Sequence, residues 1–299
     1  MRVTVTGATG LIGTRLVRAL RERGDEVTVL SRRPERAREA LGVEAATWQP
    51  DAEPAPAEAL AGRDGVVHLA GETIAQRWSE EARRAIRTSR EFGTRNLVAG
   101  IRAAEPRPAV LVSASGVDYY GDRGDEPVSE EAAPGDTWLA AVCVAWEREA
   151  AAAEELDVRV ARMRSGIALD KEGGALAKML PFFRLGIGGP VAGGRQYMPW
   201  IAADDLVAMY IAALDGADWA GPVNAVAPEP PTNAEFSRAL GRALRRPAFA
   251  PVPAFAIRLL YGQMADIVIQ GRRAVPARAR QLGFTYAHAD LEEALRAAT

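Results

Sequence analysis

The order of apolar segments in this 299-residue chain predicts an α/β fold with a doubly wound parallel sheet. Three observations carry that prediction. Short apolar runs alternate with helix-periodic stretches through the first part of the chain, the pattern of parallel strands joined by right-handed crossovers. Apolar residues make up 48% of the sequence, enough for a sizeable core. The first strand, Met1 to Thr6, runs directly into Gly7-Ala8-Thr9-Gly10-Leu11-Ile12-Gly13. A helix follows at once, with Leu11, Ile12, Leu16, Val17 and Leu20 as its apolar stripe.

The later elements follow in order. A second strand, Glu26 to Leu30, ends at Ser31-Arg32-Arg33-Pro34, and a third spans Val43 to Trp48. The proline- and acid-rich segment Gln49 to Ala59 reads as a loop. Val66 to Ala70 is a fourth strand, closed by Gly71. Ser79 caps a long helix ending at Ala103, with Glu80 and Glu81 in the turn where acids suit the helix dipole. The fifth strand, Ala109 to Val112, enters Ser113-Ala114-Ser115-Gly116. A helix from Asp136 to Leu156 precedes the sixth strand, Val158 to Ala161. Asp204-Asp205 opens a helix over Leu206 to Leu214 as capping acids. Beyond Asp170 the alternation breaks down and glycine and proline become frequent. The expected division is a sheet domain over 1–170 and a smaller, irregular, substrate-facing portion over 171–299.

A strand, a glycine-rich turn and a helix form the geometry that binds a dinucleotide pyrophosphate. Gly7 permits the tight turn, Gly10 lets the backbone approach the phosphates, and Gly13 lets the helix pack close to the strand. The helix N-terminus adds free N–H groups and its positive dipole end. A glycine-rich turn by itself can bind nothing; the strand before and the helix after make this one a Rossmann-type fingerprint. Ligands on such sheets sit at the strand carboxyl ends, which singles out the turns after Thr6, Leu30, Ala70, Val112 and Ala161. At the second of these an acid would suit the ribose of NAD, whereas arginine suits the 2′-phosphate of NADP. The chain has Ser31, Arg32 and Arg33 there, with no acid until Glu35. The expected cofactor is NADP(H).

Other function classes recede. The net charge of −2 gives no electrostatic case for nucleic acid. No apolar stretch approaches the length of a membrane span. The single cysteine, Cys143, excludes an internal disulfide framework and fits a reducing compartment. With no apolar or basic segment ahead of the first strand, the expected address is cytoplasmic. Cys143 falls among Leu139, Val142 and Trp146 and reads as a small buried hydrophobe. His68 and His288 are isolated, so no metal site is expected. Trp138, Trp146 and Trp200 read as core. Lys178, one of two lysines, reads as part of a solvated helix face.

From Thr6-Gly7-Ala8-Thr9-Gly10-Leu11-Ile12-Gly13 onward, the chain resembles the extended short-chain dehydrogenase/reductase superfamily. The match sharpens at His68-Leu69-Ala70-Gly71-Glu72, at Ser113-Ala114-Ser115-Gly116-Val117-Asp118-Tyr119-Tyr120-Gly121-Asp122 and at Trp138-Leu139 through Trp146-Glu147. Gly188-Gly189-Pro190, Gln196 and Trp200 to Leu206 continue it. Together these resemble the atypical epimerase branch, whose C-terminal module corresponds here to about 247–296, with Gln270-Gly271-Arg272-Arg273 and Pro276. The resemblance implies that Leu69, Ala70 and Gly71 lie near the nicotinamide side of the cofactor. It implies further that Ser115 holds the catalytic serine or threonine place beside Ser113, and that Arg164, Ser165, Gly166 and Ile167 form a loop approaching the nicotinamide amide. The helix pair Ser79–Ala103 and Asp136–Leu156 corresponds to the superfamily's dimer-forming pair, so a homodimer is expected.

The superfamily's reaction also uses a tyrosine with a lysine four residues later, which lowers the tyrosine pKa and holds the ribose. None of the six tyrosines here has that lysine, and the corresponding places hold Leu139 and Cys143. Three readings follow. An NADP(H)-dependent oxidoreductase or epimerase-like enzyme would draw its proton from Tyr119, Tyr120, Asp118 or Glu72, with Ser115 orienting the reacting oxygen of a small carbonyl or hydroxyl substrate. A protein that binds NADP(H) without turnover would act as a regulator or scaffold. A nucleotide-sugar epimerase proper fits the branch but not the missing pair.

Overall fold

The computed structural model describes residues 1–299. Seven parallel strands form the central sheet in the order β10-β7-β5-β4-β1-β2-β3. They are β1 (Arg2–Thr6), β2 (Glu26–Ser31), β3 (Glu44–Thr47), β4 (Gly65–His68), β5 (Val110–Gly116), β7 (Arg159–Ser165) and β10 (Gly221–Ala225). The short strand β6 (Pro127–Val128) pairs with β11 (Arg273–Ala274), and β8 (Ile167–Leu169) pairs with β9 (Trp200–Ala202). Strand order reverses between β1 and β4, and the open crevice of such a sheet lies at that switch point.

Helices cover both faces. α1 (Leu11–Glu22), α2 (Pro34–Leu41) and α6 (Ala203–Asp215) close one face over Val3, Val5, Val29 and Val112. α3 (Glu80–Ala103) and α4 (Trp138–Ala151) close the other, where Leu97, Ile101 and Ala150 meet Leu30, Val66 and Leu111. Strands buried on both faces explain why they read as unbroken apolar runs. Ser79 caps α3, its side chain accepting from the Ala82 N–H. Across α3 and α4, Arg95 pairs with Glu149 and Arg148 with Glu91. A separate core of Leu169, Leu176, Trp200 and Phe236 joins α5 (Gly174–Arg184), α7 (Asn233–Leu244) and the last helix. The C-terminal stretch adds α8 (Ala254–Tyr261), α9 (Ala265–Ile269), α10 (Ala277–Gln281) and α11 (Leu291–Ala297).

Several expectations need correction. The sheet does not end at residue 170, because β10 supplies its edge strand beside β7. Gly221 and Pro222 hide that strand in the sequence, and an edge position is where a sheet tolerates proline. Strands β5 and β7 run past Val112 and Ala161 to Gly116 and Ser165, pairing Ser115 with Arg164 along the way. The ladder between them satisfies backbone groups that the small and polar side chains made look like turns. The helix expected over Asp136 to Leu156 is α4 capped by Thr137, followed by a 3-10 turn over Ala152–Leu156. Asp205 caps nothing: it is buried and accepts from the backbone N–H groups of Ala287 and His288. Asp204 pairs with Arg15.

Candidate functional site

The glycine turn at the end of β1 is held by backbone contacts that leave no room for side chains. Gly7 has φ +68°, and a Cβ on it would stand 2.6 Å from the Leu69 carbonyl carbon. A Cβ on Gly13 would stand 2.3 Å from the Gly7 oxygen. Gly10 differs: its φ of −80° suits any residue, and it is exposed at the N-cap of α1. Thr9 beside it is also exposed, while Leu11 and Ile12 are half-buried. No side chain caps α1 and no acid occupies its first turn, so its N–H groups and positive dipole end face outward. This cradle fits a pyrophosphate.

At the end of β2 the Ser31 hydroxyl accepts from the Arg33 N–H at 3.1 Å. Arg32 and Arg33 are exposed, and the nearest acid in sequence, Glu35, is turned to Arg38. Both guanidiniums therefore remain available to an anion. The end of β4 is tied to the same turn, with the Leu69 N–H donating to Thr6 O and the Ala70 N–H to Thr6 Oγ1. His68 is buried between Thr6 Oγ1, 2.7 Å from Nδ1, and Thr94 Oγ1, 3.0 Å from Nε2. Burial, and secondarily the Arg90 charge, push its pKa down to about 3, so it stays neutral.

The end of β5 is a different kind of place. Ser113 is buried, its hydroxyl 3.3 Å from the Ala114 carbonyl. Ser115 donates to Glu147 Oε1 at 2.7 Å, and Glu147 grips Arg164 with both oxygens at 2.7 and 2.8 Å. Arg164 Nη1 donates to the Tyr120 hydroxyl, which donates to Asn224 Oδ1 at 2.6 Å. The guanidinium also stacks on the Tyr119 ring at 3.5 Å. Serine, glutamate, arginine, tyrosine and asparagine thus form one buried network tying β5, α4, β7 and β10 together.

That network corrects several sequence expectations. Ser115 commits its proton to Glu147 and can offer a reacting oxygen only an acceptor. Tyr120 is fully buried with its hydroxyl engaged, and burial pushes its pKa up to about 12, which removes it as a proton donor. Asp118 is ion-paired with the buried Arg272 of the C-terminal stretch, so it is not a free acid. Arg164 and Ser165 lie in β7 rather than in a loop, and the Arg164 side chain is buried in the network. Gly166 is the single residue between β7 and β8, where a Cβ would stand 2.6 Å from Pro199 O, and Ile167 already pairs with Trp200 in β8 rather than lying in a loop. Tyr119 and Glu72 are half-buried, and the Glu72 carboxylate has only a long bond to Gln76 at 3.4 Å. Neither side chain is committed as those of Ser115, Tyr120 and Asp118 are.

Cys143 is buried, and burial first, then the Asp118 charge, push its thiol up to about 12. It is inert, as its apolar setting implied. Lys178 is exposed but not idle, donating to Ala75 O at 2.5 Å in the loop after β4. Trp200 is core.

The residues overlooked in the sequence are Arg90, Arg272 and Glu147. Arg90 is one of six arginines on α3, which hides it among residues that suit a solvated helix face. It falls in the stripe with the buried Ile86, Gly93 and Leu97, at helical spacing, and that periodicity was the available signal. Arg272 reaches the site because Gly271 is stitched to the turn after β5, its N–H to Asp122 Oδ1 and its carbonyl to the Arg123 N–H.

The profile of the NAD dependent epimerase/dehydratase family matches residues 3–225, ending where β10 completes the sheet. The chain belongs to that family. A second profile, a domain of unknown function (DUF1731), matches residues 252–298, where the C-terminal module was expected at about 247–296. The epimerase family protein SDR39U1 homolog, chloroplastic, of Arabidopsis thaliana is 41% identical over 99% of this chain and 86% of its own length. The human epimerase family protein SDR39U1 is 36% identical over 99% of both chains. Its crystal structure with NADPH superposes with a TM-score of 0.89, covering 100% of this chain and 99% of that one. A nucleoside-diphosphate sugar epimerase from Corynebacterium glutamicum has a TM-score of 0.79 and 34% identity, over 100% of this chain and 58% of that longer one. No helix here is long and apolar enough to cross a membrane. The chloroplastic relative means that the family does not by itself assign the cytoplasmic address expected above.

Proposed function

We propose that this protein binds NADP(H) across the carboxyl ends of β1, β2 and β4 and acts on a small carbonyl or hydroxyl substrate as an oxidoreductase or epimerase-like enzyme. The observation that carries the cofactor is the pair of exposed, unpaired arginines at the end of β2, beside a turn shaped for a pyrophosphate. The human relative crystallised with NADPH supports the same choice. Arginine's planar fork makes charge-assisted bonds to a phosphate monoester, which NAD lacks. Titration should give tighter binding of NADPH than of NADH; equal affinities would sink the assignment.

When bound, the cofactor supplies or accepts a hydride at the nicotinamide ring. The chain's own part is to position the substrate oxygen and move a proton to or from it. Tyr119 and Glu72 are the groups left for that role, since Ser115, Tyr120 and Asp118 are held in intramolecular bonds. Replacing the true donor by its isostere, Tyr119→Phe or Glu72→Gln, should lower kcat by about 10²–10⁴-fold with NADPH affinity nearly intact.

A non-catalytic NADP(H)-binding regulator is the second reading. It is favoured by the same commitment of Ser115, Tyr120 and Asp118, together with Leu139 and Cys143 where the tyrosine and lysine would stand. Following NADPH absorbance across a panel of carbonyl compounds separates the two. Turnover abolished by one donor substitution supports the enzyme, whereas no turnover with intact binding supports the regulator.

A further inference from the structure

Three cations meet around the end of β5, and two of them have carboxylate partners. Arg164 is held by Glu147 and Arg272 by Asp118. Arg90, on α3, has none. Its hydrogen bonds both leave from Nη1 and go to backbone carbonyls, Glu72 O at 2.9 Å and Ile86 O at 3.2 Å. A guanidinium carries five N–H donors, so most of its capacity is unused. Burial pushes its pKa down, while Cys143, Glu72 and Asp118 lie close enough to oppose that shift.

The surroundings are short of acceptors rather than donors. The Arg90 guanidinium lies 4.9 Å from the Trp146 ring centroid, and the Trp146 Nε1–H is buried without a partner. Arg272 Nε, across the same cluster, is also buried without one. Gly71 makes the space: a Cβ there would stand 3.3 Å from the guanidinium carbon. Arg90 is half-buried and pairs with no carboxylate, so its remaining N–H groups are free to meet a ligand that accepts hydrogen bonds. Arg90 is also within electrostatic reach of Cys143, the place on α4 where the superfamily's lysine would stand.

We propose that Arg90 supplies from α3 the cationic contact that α4 lacks at Cys143, gripping the nicotinamide-ribose half of the bound dinucleotide. The proposal rests on the NADP(H) reading above. Arginine keeps its proton at any working pH, so Arg90 holds and orients by hydrogen bonding and fixed charge and passes no proton. The glycine at position 71 then serves the cofactor by admitting this side chain between the loop and the Trp146 ring.

The test compares two ligands, NADPH and 2′,5′-ADP, the second carrying the 2′-phosphate but no nicotinamide half. Arg90→Gln should weaken NADPH by about 10- to 100-fold, the worth of hydrogen bonds to a charged donor, and leave 2′,5′-ADP unchanged. Arg90→Lys, which keeps the charge on a different stem, should recover part of the loss and guards against misfolding, with thermal melts on both variants. Unchanged NADPH affinity in Arg90→Gln would overturn the proposal. Equal weakening of both ligands would also overturn it, because Arg90 would then act through the fold or the adenosine half. Failure of the unsubstituted protein to bind either ligand would instead overturn the NADP(H) reading itself.

Discussion

The end of β1 and the end of β5 lie two strands apart on one sheet and are built on opposite principles. At β1 the recognition elements are backbone: a glycine in the left-handed region, a second, Gly13, packed against its carbonyl, and an exposed third, Gly10, at an uncapped helix end. Everything needed lies within one short run of sequence. At β5 the elements are polar and charged side chains gathered from α4, β7, β10 and the C-terminal stretch, each satisfied by another, with Arg90 of α3 beside them. The first region is rigid because nothing larger than hydrogen fits at Gly7 or Gly13. The second is rigid because its charges are paired, and it fails wherever one partner is removed. Its one unbalanced member, Arg90, is for that reason the group to follow.

The largest expected effect is at the backbone-built end. Gly10→Val should abolish detectable NADPH binding by placing a branched side chain where the pyrophosphate approaches. Its φ of −80° means the fold should survive with a similar melting temperature. Undiminished NADPH affinity in that variant would show that the phosphates are held elsewhere.

The side-chain-built end should respond in stability first. Glu147→Gln removes the charge that balances Arg164, both side chains being buried, and should cost about 3–5 kcal/mol in denaturant unfolding. Replacing both partners with apolar residues of similar volume should recover much of that. A single-variant loss below about 1 kcal/mol, the scale of an exposed pair, would mean the network is better hydrated than its burial implies.

The smallest effect sharpens the contrast from the nucleotide side. Arg32→Ala and Arg33→Ala should each cost about 1.5–3 kcal/mol of NADPH binding and narrow the gap to NADH, with no change in stability because neither side chain is packed. A loss of NADH affinity as large as that of NADPH would show that these arginines grip something other than the 2′-phosphate.

What could be read from the residues alone follows the same division. β1, α1, β2, the Ser79 cap and the two arginines after β2 were legible, because each depends on neighbours a few positions away. Periodicity, turn chemistry and capping are local. The continuation of β5 and β7 to Gly116 and Ser165 was not, since Ser113, Ser115 and Arg164 look like turn residues until a parallel neighbour pairs with them. Asp205 looked like a cap because its partners, Ala287 and His288, lie far along the chain. The roles at β5 were hidden for the same reason. Nothing near Ser115 says that its hydroxyl goes to Glu147, and nothing near Asp118 announces Arg272. The sequence alone determined the alternating fold, the dinucleotide turn and the absence of a Tyr–Lys pair. Only the tertiary structure decided which acids and hydroxyls are committed and which cation is left over, because a charge is balanced by whatever packs against it.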